Sequence, residues 1–237
     1  MNQSASQAVG ATSYPGRGIV VGKSADGKRA VMAYFIMGRS VNSRNRVFIR
    51  EAEGIRTEAF DPSKMADPSL IIYWPVRTLD DKIIITNGDQ TDTIYNFVGE
   101  GSTFEAALMT RTFEPDAPNY TPRVSAMVTF EDGDFSLDMA ILRAGDAEGR
   151  FCHRVFWKYE RVEAGKGCFL HTYLSDGSPI PSFTGDPETV ALDDADVDGI
   201  ARALWNGLNA DNRVSLWVCT RDLETGRTEE TIINANN

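Results

Sequence analysis

Apolar segments joined by Asp-Gly or Thr-Gly pairs recur along this chain, and they constrain its fold more than any other feature. An Asp-Gly pair between two apolar runs is a strong signal for a tight β-hairpin, because the turn needs residues that accept positive φ. Asp26-Gly27 and Asp132-Gly133 stand in such positions, and Thr225-Gly226 stands in a similar one. The pattern predicts three antiparallel hairpins, formed by residues 19–22 with 29–37, 124–130 with 135–142, and 213–220 with 228–233.

Other apolar runs extend this series of strands. Two more hairpins are predicted, 47–50 with 55–60 and 150–161 with 167–174, together with strands at 70–79 and 82–86. The run K-I-I-I-T at 82–86 is apolar enough to be buried on both faces. Helices are predicted at 87–98, at 103–112 with Ser102 as the cap, and at 197–208. Successive strands with grouped helices indicate an α+β layered fold.

The length and composition favour one folded unit. The chain has 237 residues, of which 42% are hydrophobic, enough to supply a core. Residues 1–13 lack aromatic side chains and periodicity, so we expect a flexible N-terminal segment. Because no linker divides the remainder, we expect residues 14–237 to form a single domain.

Charge is unevenly distributed and limits the partners. The formal net charge is −10, yet the first 50 residues contain eight Lys or Arg and one acidic residue, Asp26. An acidic protein is repelled by nucleic acid and by anionic lipid, so a small anion is the better partner for this basic portion. The chain lacks an apolar run of the roughly 20 residues that span a bilayer, and its three cysteines fit a reducing compartment. We therefore expect a cytoplasmic protein.

Residues 38–46 concentrate the basic side chains. They read G-R-S-V-N-S-R-N-R and follow an apolar run at 30–37 that is typical of a buried strand. The planar fork of arginine suits phosphate or carboxylate oxygens, and short hydroxyl and amide side chains complete such a site without bulk. The stretch is equally compatible with a solvated arginine-rich loop, and these residues alone leave both interpretations open.

Metal, nucleophile and dinucleotide motifs find no support. Cys168 and His171 have a familiar metal-ligand spacing, but in a strand positions three apart point to opposite faces. A G-x-S-x-G nucleophile motif is absent from the sequence. Gly16-Arg17-Gly18 precedes a strand and not a helix, so it does not match the G-x-G-x-x-G pattern. We expect neither a metal nor a cofactor.

Five segments of the chain carry polar residues at predicted strand ends. They are Y-P-G-R-G-I-V-V-G at 14–22, A-Y-F-I-M-G-R-S-V-N-S-R-N-R-V-F at 33–48, T-N-G-D-Q-T-D-T-I at 86–94, R-T-F-E-P-D-A-P-N-Y-T-P-R at 111–123 and H-T-Y-L-S-D-G-S-P-I-P-S-F at 171–183. These segments resemble those of the IMP cyclohydrolase family, the archaeal type with its bacterial relatives. They occur in order across nearly the whole chain, which makes the resemblance specific.

The resemblance implies a fold and a reaction. The fold would be an αββα four-layer sandwich resembling that of N-terminal-nucleophile hydrolases. The reaction would be the last ring closure of purine biosynthesis, in which 5-formamidoimidazole-4-carboxamide ribotide loses water and becomes inosine 5′-monophosphate without a metal. The implied partner is a purine ribonucleotide substrate, with no nucleic acid and no membrane, and homo-oligomerisation is left open.

Within this hypothesis, two groups of side chains bind the substrate. The side chains near the first two strands would hold the 5′-phosphate by charge-assisted hydrogen bonds; they are Arg17, Arg39, Ser40 and Arg46. The side chains around the predicted start of the helix at 87–98 would contact the base or ribose; they are Asn87, Asp89, Gln90 and Asp92.

The catalytic side chains are expected on the loop at 112–123, which three prolines make unsuitable for a helix or a paired strand. They are Glu114, Asp116, Tyr120 and Arg123. One carboxylate would take the proton of the attacking nitrogen, and Arg123 or Tyr120 would stabilise the oxyanion. A solvated turn is the competing interpretation of the two carboxylates.

Two other functions remain open from the sequence. The first is a purine-ribotide-binding protein without turnover. The second is an amide hydrolase on the same fold, which requires an N-terminal nucleophile. Tyr14-Pro15 stands where such an enzyme would begin, and Thr12 and Ser13 are the nearby hydroxyl candidates.

Overall fold

The computed structural model describes residues 3–64 and 72–236. They form two antiparallel sheets and a small number of helices, which confirms the α+β class. The strands are β1 (Arg17–Lys23), β2 (Arg29–Met37), β3 (Arg46–Glu51), β4 (Gly54–Ala59), β5 (Val76–Leu79), β6 (Lys82–Thr86), β7 (Arg123–Glu131), β8 (Asp134–Ala144), β9 (Cys152–Tyr159), β10 (Lys166–His171), β11 (Glu188–Ala191), β12 (Arg213–Asp222) and β13 (Thr228–Asn234). The helices are α1 (Ala5–Val9), α2 (Val41–Arg44), α3 (Gln90–Gly99), α4 (Phe104–Met109) and α5 (Val197–Gly207), with a 3₁₀ turn at Pro62–Lys64.

The strands divide into a six-stranded and a seven-stranded sheet. The first has the order β11-β10-β1-β2-β12-β13, and the second has the order β3-β4-β5-β6-β7-β8-β9. The chain therefore changes sheet between β2 and β3, and again between β9 and β10. Residues 38–45, between β2 and β3, thus bridge the two sheets at one end of the molecule.

The two sheets pack face to face through alternate residues of their strands. Ile19, Val21 and Met32 of the first sheet share one apolar cluster with Ile85 and Val124 of the second. Because successive strand residues point to opposite faces, the intervening residues face outward and require a second covering layer.

Helices supply that covering layer on both outer faces. Helices α1 and α5 pack on the first sheet, where Val9 and Leu204 join Val20 and Phe35 in one cluster. Helices α3 and α4 pack on the second sheet, and their cluster includes Ile94, Phe104 and Leu108 together with strand residues Ile84 and Met127. None of the helices in the described part of the chain has both the length and the apolar character that crossing a bilayer requires.

Most sequence predictions of strands are confirmed. The hairpins β1–β2, β3–β4, β7–β8 and β12–β13 all form, with the turn pairs Asp26-Gly27, Asp132-Gly133 and Thr225-Gly226 between the expected strands. In β6 the three isoleucines are buried, as predicted for a strand covered on both faces. The loop at 112–122 contains neither helix nor strand, as its prolines indicate.

The predicted hairpin of 150–161 with 167–174 is wrong. Strand β9 pairs with β8 in the second sheet, whereas β10 pairs with β1 and β11 in the first. Alternation identifies a strand but not its neighbour, so the change of sheet was invisible in the local pattern. Of the predicted strand 70–79, residues 76–79 form β5, residues 72–75 form no strand, and residues 70–71 lie outside the described residues.

Two local predictions are corrected by helix geometry. The segment before Tyr14 is not a flexible lead-in throughout, because Ser4 caps α1 and Val9 is fully buried. Thr103, and not Ser102, caps α4, since its hydroxyl accepts a hydrogen bond from the N–H of Ala106. Strand β11 and helix α2 were not predicted. That residues 14–237 fold as one domain remains a prediction.

Candidate active site

A cavity of about 280 Å³ opens at the end of the two sheets where β1 begins and β2 ends. Its size is near the lower end of the ~300–1,000 Å³ that is usual for small-molecule sites. Three predicted arginines and one predicted carboxylate share its wall with polar and aromatic side chains. The lining residues are Tyr14, Arg17, Met37, Arg39, Ser40, Ser43, Arg46, Asp116, Asn119, Thr121, Tyr173 and Ile180.

The antiparallel pairing of β1 with β2 brings Arg17 and Arg39 together. Arg17 is the first residue of β1 and pairs with Ile36, so the start of β1 lies beside the end of β2. Arg39 follows β2 by two residues and lines the same cavity. The two arginines therefore lie at neighbouring strand ends.

Gly16 permits the close packing behind Arg17. Its φ is +84°, a conformation that glycine adopts readily. A Cβ at this position would lie 2.3 Å from Thr172 Oγ1 and 2.4 Å from the ring of Tyr173. Any side chain here would therefore displace Tyr173, which lines the cavity.

The arginine-rich stretch at 38–46 folds into a compact turn that buries Arg46. The Ser40 hydroxyl accepts a hydrogen bond from the N–H of Ser43 at 3.0 Å and caps the short helix α2. Arg46 is only 2% exposed, and it donates from Nε to the Ser43 carbonyl at 2.8 Å and from Nη2 to the Met37 carbonyl at 3.3 Å. The stretch is therefore not simply a solvated loop, although the Ser40 hydroxyl is already used within it.

Arg17, Arg46 and Glu114 form the buried inner end of the site. Glu114 is 2% exposed, and its Oε2 lies 3.6 Å from Arg17 Nη2, behind the cavity wall. Burial raises the pKa of Glu114 above its ordinary value, and the positive charges of Arg17 and Arg123 oppose this rise. Burial and the nearby charge of Arg17 lower the pKa of Arg46. Burial opposes the charge of Arg17 as well, but the carboxylate of Glu114 holds the pKa of Arg17 well above the ordinary value.

Two tyrosines beside these arginines stay neutral. The hydroxyls of Tyr34 and Tyr73 lie 2.8 Å apart and are buried. Burial raises the pKa of both, so neither contributes a negative charge to Arg17 or Arg46 near neutral pH.

Arg39 lies at the outer rim, where it holds the segment that follows β10. Its Nη1 forms an ion pair with Asp176 and donates to the Gly177 carbonyl at 2.9 Å. The guanidinium also lies over the ring of Tyr14, 5.0 Å from the centroid. The side chains of Arg39 and Asp176 are 35% and 44% exposed, so this pair is open to solvent and to an incoming ligand.

A chain of hydrogen bonds crosses the cavity wall from Asp116 to Tyr173. The two carboxylate oxygens of Asp116 accept hydrogen bonds from the backbone N–H and the hydroxyl of Thr121. The Thr121 hydroxyl is also hydrogen bonded to the hydroxyl of Tyr173. Asp116, which was predicted from the sequence as a site residue, is thus connected to Thr121 and Tyr173, which were not predicted.

The predicted base-binding residues form a second network, which surrounds Arg123. Arg123 donates from Nη1 to Gln90 Oε1 at 2.6 Å and forms an ion pair with Asp89 at 2.7 Å. Gln90 donates to Asn87 Oδ1 at 3.0 Å, and Asn87 donates to the Pro122 carbonyl at 2.9 Å. These contacts join β6, α3 and β7. Arg123 does not line the cavity; it acts on Glu114 through its charge.

Two predicted site residues lie elsewhere. Tyr120 packs edge-on against Phe113 and lines a separate surface cleft with Gly149 and Phe151. Asp92 forms an ion pair at 2.9 Å with Arg77, on the outer side of the second sheet. Neither side chain reaches the cavity that contains the three arginines.

Sequence reasoning missed four polar residues of the cavity wall: Ser43, Asn119, Thr121 and Tyr173. Each lies inside a segment that carries the family resemblance, and that was the one signal available for them. Within residues 3–64 and 72–236, no three His, Cys, Asp or Glu side chains cluster as a metal site would require.

Comparison with known proteins identifies the family of the chain. A profile of the family described as IMP cyclohydrolase-like protein matches residues 14–226. The chain belongs to this family. An IMP cyclohydrolase of Methanopyrus kandleri is 28% identical over 180 residues, which cover 72% of this chain and 89% of that protein. An IMP cyclohydrolase of Methanosphaera stadtmanae is 30% identical over 119 residues, which cover 48% of this chain and 57% of that protein.

The family match extends over the whole cavity. All twelve lining residues fall between residues 14 and 180, inside the matched range. The family resemblance seen in the sequence is confirmed, and the cavity belongs to a member of the IMP cyclohydrolase-like family.

Proposed function

We propose that this protein is an IMP cyclohydrolase, which closes the six-membered ring of 5-formamidoimidazole-4-carboxamide ribotide and releases inosine 5′-monophosphate and water. The observation that carries the proposal is the convergence of Arg17, Arg39 and Arg46 on one cavity in an otherwise acidic protein. Relatives named IMP cyclohydrolase at 28% and 30% identity support it.

The burial of the arginines suggests how the ribotide lies. The 5′-phosphate contacts Arg39 at the exposed rim, where it competes with Asp176 for the guanidinium. The imidazole with its two amide groups points inward to Arg17 and Arg46, because the bond-forming step has to be shielded from water. Charge-assisted hydrogen bonds of this kind contribute roughly 1.5–3 kcal/mol each.

Ring closure joins two groups of the same substrate, so orientation and proton movement are the main requirements. The carboxamide nitrogen attacks the formyl carbon, and a C–N bond forms while the formyl oxygen becomes an alkoxide. That oxygen then leaves as water. It takes one proton that came from the carboxamide nitrogen and one from the formamide nitrogen, so no external oxidant, reductant or co-reactant is needed.

Glu114 is the proton carrier in this proposal, and Arg17 with Arg46 stabilises the oxyanion. Burial raises the pKa of Glu114, and a raised pKa makes its carboxylate a stronger base than an exposed one. Guanidinium groups held in a dry pocket stabilise developing negative charge, and loss of one such donor typically costs about 10²–10³ in rate. Arg123 takes no direct role here, because its guanidinium is already bound by Gln90 and Asp89.

The fold is consistent with the layered arrangement of N-terminal-nucleophile hydrolases, and we include that likeness in the proposal. Two antiparallel sheets face one another, with helices on both outer faces. Tyr14-Pro15 occupies the strand approach where such hydrolases carry a nucleophile, so the proposed chemistry uses the cavity and not a processed terminus.

Absorbance change on adding the formylated ribotide tests the proposal. Wild-type protein is expected to turn over, while Glu114→Gln loses about 10²–10⁴-fold in kcat. Asp116→Asn is the matched comparison, and we expect a smaller loss because its carboxylate is held by Thr121. Binding of inosine 5′-monophosphate by wild-type protein without turnover would support a binding protein instead. Full activity of Glu114→Gln would contradict the assignment of the proton carrier.

A further inference from the structure

The hydrogen-bond chain in the cavity wall has only one arrangement of its protons. Asp116 as a carboxylate can only accept, and its Oδ2 accepts from the Thr121 hydroxyl. A hydroxyl has one proton, so Thr121 has none left for Tyr173. The hydrogen bond between Thr121 and Tyr173 is therefore donated by the Tyr173 hydroxyl.

The direction of these hydrogen bonds determines whether the Tyr173 hydroxyl donates to a ligand or accepts from it. Burial raises the pKa of Tyr173 to about 12, so the phenol keeps its single proton near neutral pH. Since that proton lies on the side of Thr121, the phenol oxygen presents lone pairs to the cavity. Tyr173 thus favours a ligand atom that carries a hydrogen over one that carries a lone pair.

The proposed reaction supplies such an atom. The carboxamide nitrogen begins with two hydrogens, gives up one during ring closure and retains the other as the ring N–H of inosine 5′-monophosphate. An acceptor that holds the retained hydrogen aims the nitrogen and leaves the other hydrogen free for the base. In adenosine 5′-monophosphate the equivalent ring nitrogen has a lone pair and no hydrogen, so it would face the lone pairs of Tyr173.

We propose that Tyr173 is a specificity-determining residue whose oxygen accepts the retained N–H of the ring-closing nitrogen, with Asp116 setting this polarity through Thr121. The inference rests on the proposed function for the identity of the ligand. Asp116 and Thr121 are positioning residues in it, because they act on the ligand through Tyr173 and need not touch the reacting atoms.

The test measures the affinities of inosine and adenosine 5′-monophosphate by isothermal titration calorimetry. Wild-type protein is expected to prefer inosine 5′-monophosphate by roughly 10- to 100-fold, as an unmatched buried polar group predicts. In Thr121→Val the Tyr173 hydroxyl is free to rotate and donate, so adenosine 5′-monophosphate should gain affinity and the preference should fall to within a few-fold. Thr121→Ser keeps the hydroxyl and should retain the wild-type preference. Tyr173→Phe should also reduce the preference.

The outcomes separate this inference from the ring-closure proposal. A Thr121→Val variant that folds, by circular dichroism, and keeps the wild-type preference overturns the role of Tyr173. So does a wild-type protein that binds both nucleotides equally, or neither. A preference that depends on Thr121, in a protein that does not convert the formylated ribotide, overturns the proposed enzyme but supports the acceptor role.

Discussion

If the substrate phosphate binds Arg39 as proposed, Asp176 competes with it, and we expect removal of the Asp176 charge to strengthen nucleotide binding. In the free protein Asp176 neutralises Arg39 at the cavity rim. In the structure the N–H of Gly177 donates to Asp176 Oδ1 at 2.8 Å. The Asp176→Asn substitution removes the negative charge, while the new amide oxygen can still accept this hydrogen bond. The turn is thereby preserved, and Arg39 becomes available to an incoming dianion.

The exposure of the pair sets the size of the effect. With side chains 35% and 44% exposed, the interaction is well solvated. Ion pairs of this kind contribute roughly 0.2–1 kcal/mol, which corresponds to a change in affinity of about 1.4- to 5-fold. We therefore expect Asp176→Asn to bind inosine 5′-monophosphate up to about five times more tightly, with a larger gain at low ionic strength because salt screens exposed charges.

Calorimetric titrations at two salt concentrations measure this gain. The matched control is Glu229→Gln, which causes the same change in net charge. Glu229 forms an exposed ion pair at 2.9 Å with Arg227, near the β12–β13 turn at the opposite end of the sheet. Equal gains in the two variants would attribute the effect to net charge alone. Weaker binding by Asp176→Asn would refute the competition.

Three further substitutions or reactions test the packing and the electrostatics. Gly88→Ala should destabilise the fold by about 1–3 kcal/mol, measured by urea unfolding, because the new Cβ would lie 2.4 Å from Arg123 Nη1. Burial raises the pKa of Glu114 above 4.5, so the folded state binds the extra proton and stability should fall as pH rises from 4.5 through the folded pKa. Burial also raises the pKa of Cys219 to about 12, so a disulfide reagent at pH ~8 should modify the half-buried Cys152 first and Cys219 only on unfolding.

Each of these tests has its own comparison. Gly99→Ala is the control for Gly88, since the nearest atom to its new Cβ would be 3.9 Å away, and equal destabilisation of both variants would argue against the clash. In Glu114→Gln the pH-dependent loss of stability should disappear, and an unchanged slope would assign it to other carboxyl groups. Cys152→Ser should abolish the fast reaction; persistence of that phase would show that a buried thiol is accessible.

The fold could be predicted from the sequence as far as local signals reach. Asp-Gly turns and alternating apolar residues determine hairpins between neighbouring segments, and β1–β2 and β7–β8 form as expected. The partner of β9 depends on which sheet its side chains cover, which is decided by packing over the whole molecule. That information is absent from a window of ten residues, and the predicted pairing with β10 therefore failed.

The residues of the candidate site also divide into those with a local sequence signal and those without one. Arginine is unusual at the end of a buried strand, so Arg17, Arg39 and Arg46 could be predicted from composition and position. Thr121 and Tyr173 have no local signature, because a threonine in a loop and a tyrosine after a strand are common in any protein. Their roles arise from a contact between residues 52 positions apart in the chain.

Buried positive charge explains why the arginines indicate a ligand site more strongly than the tyrosines do. Arg17 has Glu114 as its ion-pair partner, whereas Arg46 is held by the carbonyls of Met37 and Ser43 and feels the repulsion of Arg17. Among residues 3–64 and 72–236, no carboxylate forms an ion pair with Arg46. Burying an ion without a counter-charge costs several kcal/mol after relaxation, so such an arrangement lowers the stability of the free protein. An anionic ligand that enters the cavity supplies the missing charge and stabilises the folded state in proportion to its concentration. The free protein thus carries an unfavourable concentration of positive charge at a place where an anionic ligand would relieve it, as expected when a site is shaped for its ligand and not for stability alone.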